Sequence, residues 1–269
     1  MTGGLTEGFE RVPAALAALR QRLLGLTDRL EADEWGRPSR CELWSVHDVV
    51  RHVRDGCRVH TAQLRSIGTS VLAPGFDNRT TPLQWLERSA GESPTETVDD
   101  LRALVTEEAV ALEARMDPYR DETVMGPYGP AHWTVLTTHV LWDAWVHARD
   151  VTAALGWADD STPGEDEVVA LYALLIASVP AALTGHAFEA KVDLVGAGGR
   201  HHLATVVPAH VVLRRADAPA GDEQLRGPLA PVVDVLAGRG PEVQTVLTGD
   251  RAALEPLTWL RPILTRTTA

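Results

Sequence analysis

The sequence has only two cysteines, Cys41 and Cys57, in 269 residues. Two thiols make no disulfide framework, and a chain this long buries enough core not to need one. Lysine is almost missing: Lys191 is the one lysine among 25 basic residues, so the other 24 are arginine. Such a skew suggests a high-GC genome, as in an actinobacterium. Acidic residues outnumber basic ones 37 to 25, a formal charge of −12. A chain so acidic has no global electrostatic reason to seek nucleic acid or an anionic membrane. The opening residues, MTGGLTEGFERVP, lack a basic stretch followed by an apolar one, so no secretory signal is read and a cytoplasmic location is expected. The longest apolar run, Val168 to Leu183, is broken by Ser178 and Pro180 and falls short of the roughly 20 residues of a membrane span. Internal repeats and low-complexity segments are absent too. With 45% hydrophobic and 23% charged residues, the composition is that of a globular protein, not of a disordered, collagenous or coiled-coil chain.

The first part of the chain carries helical periods. Val12, Leu16, Leu19, Leu23, Leu26 and Leu30 predict a helix over Glu10 to Leu30. Ser45 reads as an N-cap, with Asp48 three residues on as a short-armed capping box, ahead of a stripe of Val46, Val49, Val50 and Val53. Further helices are expected over Pro94 to Met116 and, after the turn-rich MDPYRDETVMGPYGP, over about His132 to Leu155. Four such helices suggest an antiparallel bundle. Near residue 160 the character changes: GWADDSTPGEDE reads as a linker, and Glu165, Asp166 and Glu167 open another helix at its positive end. Beyond residue 186, FEAKVDLVGA, HHLATVVPAH and HVVLRRA read as strands. A helix (GPLAPVVDVLAGRG), a strand (VQTVLTGD) and a helix from Arg251 to Leu260 follow, so this half reads as a small α+β domain.

One constellation carries chemistry. Asp143 and His147 are four residues apart on a predicted helix, with Cβ atoms roughly 5–6 Å apart on one face. A carboxylate and an imidazole so placed can grip a divalent metal, and a bundle can bring His52 to them from a facing helix. Three protein ligands leave a position open, which is the arrangement of a catalytic site. The same spacing also serves an ordinary surface pair, and ten histidines make chance pairings easy. His139 lies on the same stripe, as a fourth ligand, a supporting residue or a packed histidine. A His₂–carboxylate set with an open position suits Zn²⁺ first, and the Irving–Williams order admits Ni²⁺ or another divalent ion.

These segments resemble a known family. SRCELWSVHDVVRHVRD resembles the C-x-x-W-[ST]-V-x-D-V-x-x-H signature of mycothiol-dependent maleylpyruvate isomerase-like proteins, in the DinB-like metalloenzyme superfamily, through Cys41, Trp44, Ser45, Val46, Asp48 and His52. GPYGPAHWTVLTTHVLWDAWVHARDV is similar to the family's P-x-G…E-x-x-x-H-x-x-D, and LAGRGPEVQTVLTGDRAALEPL to its L-x-G-R…V-x-G-D-x-x-x-L. The resemblance covers most of the chain in the family's order. It implies a DinB-like antiparallel four-helix bundle over residues 1–160, carrying the metal site, and a smaller C-terminal α+β, sterol-carrier-like domain over 161–269. It implies that His52, Asp143 and His147 form the metal triad, with Asp143 where the family has Glu. It implies an arginine near Arg239 that faces the active site and handles an anionic substrate; an exposed arginine after a helix end is the alternative. The implied chemistry is that of mycothiol, held by the metal as a thiolate, attacking a small electrophile either to isomerise it or to be transferred to it through sulfur.

Trp44, Tyr128, Trp133 and His139 are the candidate lining of a substrate pocket, with Tyr119, Trp142 and Trp145 nearby in sequence; core packing is the competing role. Cys41 and Cys57 read as two small buried groups. His201 and His202, adjacent in a strand, point to opposite faces and cannot easily share a metal, so a solvated pair is expected. Gly249–Asp250 reads as a turn and an N-cap. Two other functions fit the chain: a thiol-independent metal-dependent lyase, cyclase or hydrolase of secondary metabolism, and a non-catalytic protein that binds an apolar ligand. The expected partner is a small-molecule substrate, and a monomer is compatible with the sequence.

Overall fold

The computed structural model describes residues 11–65, 77, 80–115, 123–126 and 129–260. These residues fall into two compact units that divide between Asp160 and Ser161. The architecture is α+β, with eight α-helices among the described residues.

The first unit runs α1 (Arg11–Thr27), α2 (Val46–Arg65), α3 (Thr80–Arg88), α4 (Pro94–Glu113), β1 (Thr123–Gly126), β2 (Gly129–His132) and α5 (Trp133–Leu155). Helices α1 and α2 each pack against both α4 and α5. The periodic apolar residues point inward as the spacing requires: Leu16, Leu19, Leu23 and Leu26 of α1 are all buried. Ser45 and Asp48 make the reciprocal cap at the start of α2, with Ser45 N donating to Asp48 Oδ2 at 2.8 Å and Asp48 N to Ser45 Oγ at 3.1 Å. Burial pushes the Asp48 carboxyl up, but these bonds and Arg51 more than offset it and hold it below its ordinary value. Ser93 and Glu96 form a full capping box on α4. The segment read as turn-rich contains an antiparallel hairpin, β1 with β2, that leads into α5. The expected end of the third helix, Met116, lies outside the described residues.

One buried carboxylate ties four helices together. Glu108 of α4 accepts from Arg20 of α1 (2.8 and 3.0 Å) and from His60 Nδ1 of α2 (2.7 Å), and His60 Nε2 meets Thr137 Oγ1 of α5 at 3.0 Å. Arg20, His60 and Glu108 are each at most 2% exposed. A charge so deep is tolerable only because its partners are charged or hydrogen-bonded.

The second unit runs α6 (Pro163–Thr184), β3 (Ala190–Val195), β4 (His201–Val207), β5 (His210–Ala216), β6 (Leu225–Pro228), α7 (Leu229–Leu236), β7 (Thr248–Gly249) and α8 (Arg251–Thr258). Its sheet has the order β5-β4-β3-β6-β7, with β3 and β6 parallel and the other pairs antiparallel. Helix α6 packs on β4 and β5, α7 on β3 and β6, and α8 on β3.

Several expectations need correction here. Ser178 and Pro180 break the apolar run as read, though α6 continues through them for 22 residues; it is apolar enough to cross a membrane by length and composition, but it packs on β4, β5, α7 and α8 as a core helix does. Ser178 keeps its hydroxyl satisfied by donating to the Leu175 carbonyl at 2.7 Å. VQTVLTGD is not a strand: Val243–Thr245 form a 3₁₀ turn, Val243 and Leu247 are buried four residues apart, and only Thr248–Gly249 pairs in the sheet. Gly249 has φ +135°, and a Cβ there would meet the Gln224 carbonyl oxygen at 1.9 Å, so glycine is required. Asp250 caps α8 as expected, accepting from Ala252 N at 2.8 Å. His201 and His202 are not a solvated pair: they are 8% and 1% exposed, and His201 Nδ1 is 2.8 Å from the buried Asp193 carboxylate on the neighbouring strand.

Candidate metal centre

The loop between α1 and α2 is folded by its own backbone. Ser39 N donates to the Trp44 carbonyl at 2.9 Å, Trp44 N to the Cys41 carbonyl at 2.8 Å, and Ser39 Oγ accepts from Cys41 N at 3.0 Å. Val46 N then donates to the Arg37 carbonyl, closing the turn as α2 begins. The result fixes Arg40, Cys41 and Trp44 beside α2 and α5. Beneath them, Leu26, Val46, Val49 and Val151 form a buried apolar floor, with Cys41 and Trp44 packed against it.

His52, two turns into α2, meets Asp143 and His147, one turn apart on α5. His52 Nε2 is 3.5 Å from Asp143 Oδ2, and His147 Nε2 is 3.6 Å from Asp143 Oδ1. One donor atom from each of the three lies within 4.8 Å of the other two. Donors on a tetrahedral zinc at ~2.0–2.1 Å stand about 3.3 Å apart, so this spacing needs little contraction to hold such an ion. Nitrogen, nitrogen and carboxylate oxygen also form a donor set that zinc accepts. Burial pushes the Asp143 carboxyl up, but His147 and His52 more than offset it and keep it well below the ordinary carboxylate range. Burial lowers the pKa of His147 against the pull of Asp143 and Asp150, so its imidazole is neutral at neutral pH, the form that binds metal.

Trp44 lies over both imidazoles, 4.9 Å from the His52 ring and 5.8 Å, stacked at 27°, from the His147 ring. The other aromatic candidates divide differently. Trp133 and Trp145 are fully buried and Trp142 nearly so, which makes them core residues. His139 is half-buried one turn before Asp143, with its ring 5.9 Å from Trp142, and it is not part of the three-atom group. Tyr119 and Tyr128 lie outside the described residues. Arg239 belongs to the second unit, just after α7, where its amide donates to the Asp234 carbonyl at 2.8 Å and its Nη1 to the Ala237 carbonyl at 3.3 Å.

Asp150 is the last residue of the family's E-x-x-x-H-x-x-D motif, but sequence reasoning gave it no role. This residue is fully buried on α5 and is engaged at once by His147 Nδ1 (3.0 Å), Arg40 Nε (3.0 Å) and Cys41 Sγ (3.1 Å). The i,i+3 spacing from His147 was a legible signal, but the approach of Arg40 and Cys41 from over a hundred residues away was not. Cys41 is half-buried and hydrogen-bonded, a correction to the expectation of a small buried group. Cys57 does fit that expectation: burial in the core pushes its thiol up to about 12.

Residues 16–152 match a family profile described as the mycothiol maleylpyruvate isomerase N-terminal domain, a stretch that contains His52, Asp143 and His147. No curated protein sequence matches significantly. Two solved structures are similar, the crystal structure of the mycothiol-dependent maleylpyruvate isomerase and that of a point mutant of it. Each aligns with a TM-score of 0.58 at 17% identity, over 91% of this chain and 92% of the other, which shows a shared fold. The profile spans just over half of the chain, and the chain belongs to the mycothiol maleylpyruvate isomerase family through that N-terminal domain.

Proposed function

We propose that the protein is a thiol-dependent enzyme in which His52, Asp143 and His147 hold a divalent metal, zinc by first preference, and mycothiol is the thiol. The observation that carries this reading is the convergence of two imidazole nitrogens and a carboxylate from α2 and α5 to within 4.8 Å. A divalent ion held there supplies the positive charge that keeps a bound thiol ionised at neutral pH. Mycothiol supplies the nucleophilic sulfur for addition to an electrophile: with a cis-alkene diacid, addition, bond rotation and elimination isomerise it and return the thiol; with another electrophile the thiol stays attached as an S-conjugate.

The chain's own residues prepare this chemistry. Asp143 stays ionised across the physiological range and offers negative charge to a cation. His147 stays neutral and keeps a nitrogen lone pair available. Trp44 stacks on the His147 ring and leans on the His52 ring, while the side chains of His52 and Asp143 retain 15% and 29% exposure, which leaves those donors open to reactants. Arg239 is the candidate for the anionic part of the substrate, on the resemblance of LAGRG to the family's segment. Membership of this enzyme family supports a cytoplasmic location.

The test is turnover of a cis-alkene diacid by zinc-loaded protein with and without mycothiol. The proposal expects turnover only with the thiol, and its loss in His147→Ala. Turnover that survives omission of the thiol would overturn the thiol role in favour of thiol-independent metal chemistry.

A further inference from the structure

Asp150 has no exposure, yet two donors and an imidazole nitrogen meet it. Its Oδ1 accepts from Arg40 Nε at 3.0 Å; its Oδ2 accepts from Cys41 Sγ at 3.1 Å and lies 3.0 Å from His147 Nδ1. A carboxylate paired with a guanidinium accepts hydrogen bonds and does not donate them. The proton of a neutral His147 must therefore sit on Nδ1. That leaves the Nε2 lone pair facing Asp143 and His52, as a metal ligand needs. Carboxylates that hold a ligand histidine in this way set its tautomer and ring orientation.

His52 differs. Among the described residues its buried Nδ1 has no hydrogen-bond partner, and its Nε2 faces Asp143 at 3.5 Å. No described residue offers an acceptor at Nδ1 that would select the tautomer metal binding needs. A buried donor without an acceptor also costs about 1–3 kcal/mol. The two histidines of the triad are thus supported unequally.

Cys41, His147 and Asp150 also lie within 4.8 Å of one another, which raises a second cation cradle on the far side of the same imidazole. The Arg40 guanidinium on Asp150 argues against it, because a cation there would sit beside an existing positive charge.

We propose that Asp150, held by Arg40 and Cys41, is a positioning residue that commits His147 to the Nδ1–H tautomer, making His147 the fixed ligand of the site and His52 the adaptable one. The ligand part of this proposal rests on the metal reading above; the tautomer part does not.

The experiment is long-range imidazole ¹⁵N–¹H correlation on ¹⁵N-labelled, metal-free protein at pH 8, followed by Zn²⁺ affinity from chelator competition. Expected are the Nδ1–H pattern for His147 in the wild type and a shift toward Nε2–H in Asp150→Asn. Zinc affinity should fall about 10–100-fold in Asp150→Asn. It should change less than about threefold in Cys41→Ser, whose hydroxyl donates in the thiol's place. An Nε2–H pattern in the wild type overturns the proposal without any need for a folded variant. So does an Asp150→Asn protein with wild-type zinc affinity and an unchanged unfolding transition. Two ions per chain, the second lost in Cys41→Ser, would establish the second cradle instead. A wild type that shows Nδ1–H but takes up no zinc would leave the tautomer lock standing and remove the metal reading.

Discussion

Replacing Glu108 by glutamine removes one charge from the network that ties α1, α2, α4 and α5 and leaves Arg20, 1% exposed, without an anion. Breaking a buried pair in this way costs about 3–5 kcal/mol. That is a large share of a domain's total of roughly 5–15 kcal/mol. For a unit of this size the melting temperature should fall by about 6–20 °C. Tryptophan fluorescence is a selective probe, because Trp35, Trp44, Trp85, Trp133, Trp142, Trp145 and Trp157 lie in the first unit and Trp259 in the second. Urea unfolding at pH 7 would give the loss directly. The acid limb supplies an independent check. Burial pushes the Glu108 carboxyl up, but Arg20 and His60 more than offset this and hold it down at about 2, from an ordinary 4.5. Its contribution is therefore complete above the ordinary value and is lost as pH falls toward about 2, because the unfolded chain takes up the proton first. Glu108→Gln should flatten that part of the stability profile. A loss below about 1 kcal/mol at pH 7, with an unchanged acid limb, would refute the assignment of this carboxylate as the tie between the helices.

Three further outcomes follow from the same geometry. Ser45→Ala should cost about 1 kcal/mol in urea unfolding, since it removes the acceptor of Asp48 N at the start of α2. Zinc at 100 times its dissociation constant should stabilise the protein by about 2.7 kcal/mol, reversed by a chelator and absent in His147→Ala. Trp44→Ala should raise the KM for the thiol by about tenfold with less effect on kcat, if the ring over His52 and His147 is a wall of the thiol site; an unchanged KM would remove Trp44 from that role.

The long helices were legible because each carries a full apolar stripe, and the caps at Ser45 and Asp250 because capping chemistry is local. Asp143 and His147 were legible for the same reason. Helix α3 was not: it has nine residues and buries only Leu86. Strand β6, LRGP, was missed because a glycine and a proline fill half of it, and its place beside β3 is fixed by the sheet. The segment after α7 looked like a strand because β-branched residues crowd it, while the i,i+4 burial of Val243 and Leu247 belongs to a helical turn. His201 could not be read as buried without knowing that Asp193 lies on the adjacent strand. Asp150 shows the same limit. Its partners Arg40 and Cys41 reach it only through the loop that Ser39 and Trp44 close, and no sequence period encodes that contact.

The central claim is that His52, Asp143 and His147 hold one metal ion, and metal content tests it most directly. The protein would be purified without an affinity tag and assayed by inductively coupled plasma mass spectrometry, beside His52→Ala, Asp143→Ala and His147→Ala. The account predicts about one divalent ion per chain in the wild type, lost in Asp143→Ala and His147→Ala and weakened in His52→Ala. A wild-type protein that carries no metal, and takes up none from Zn²⁺ or Ni²⁺, would contradict it.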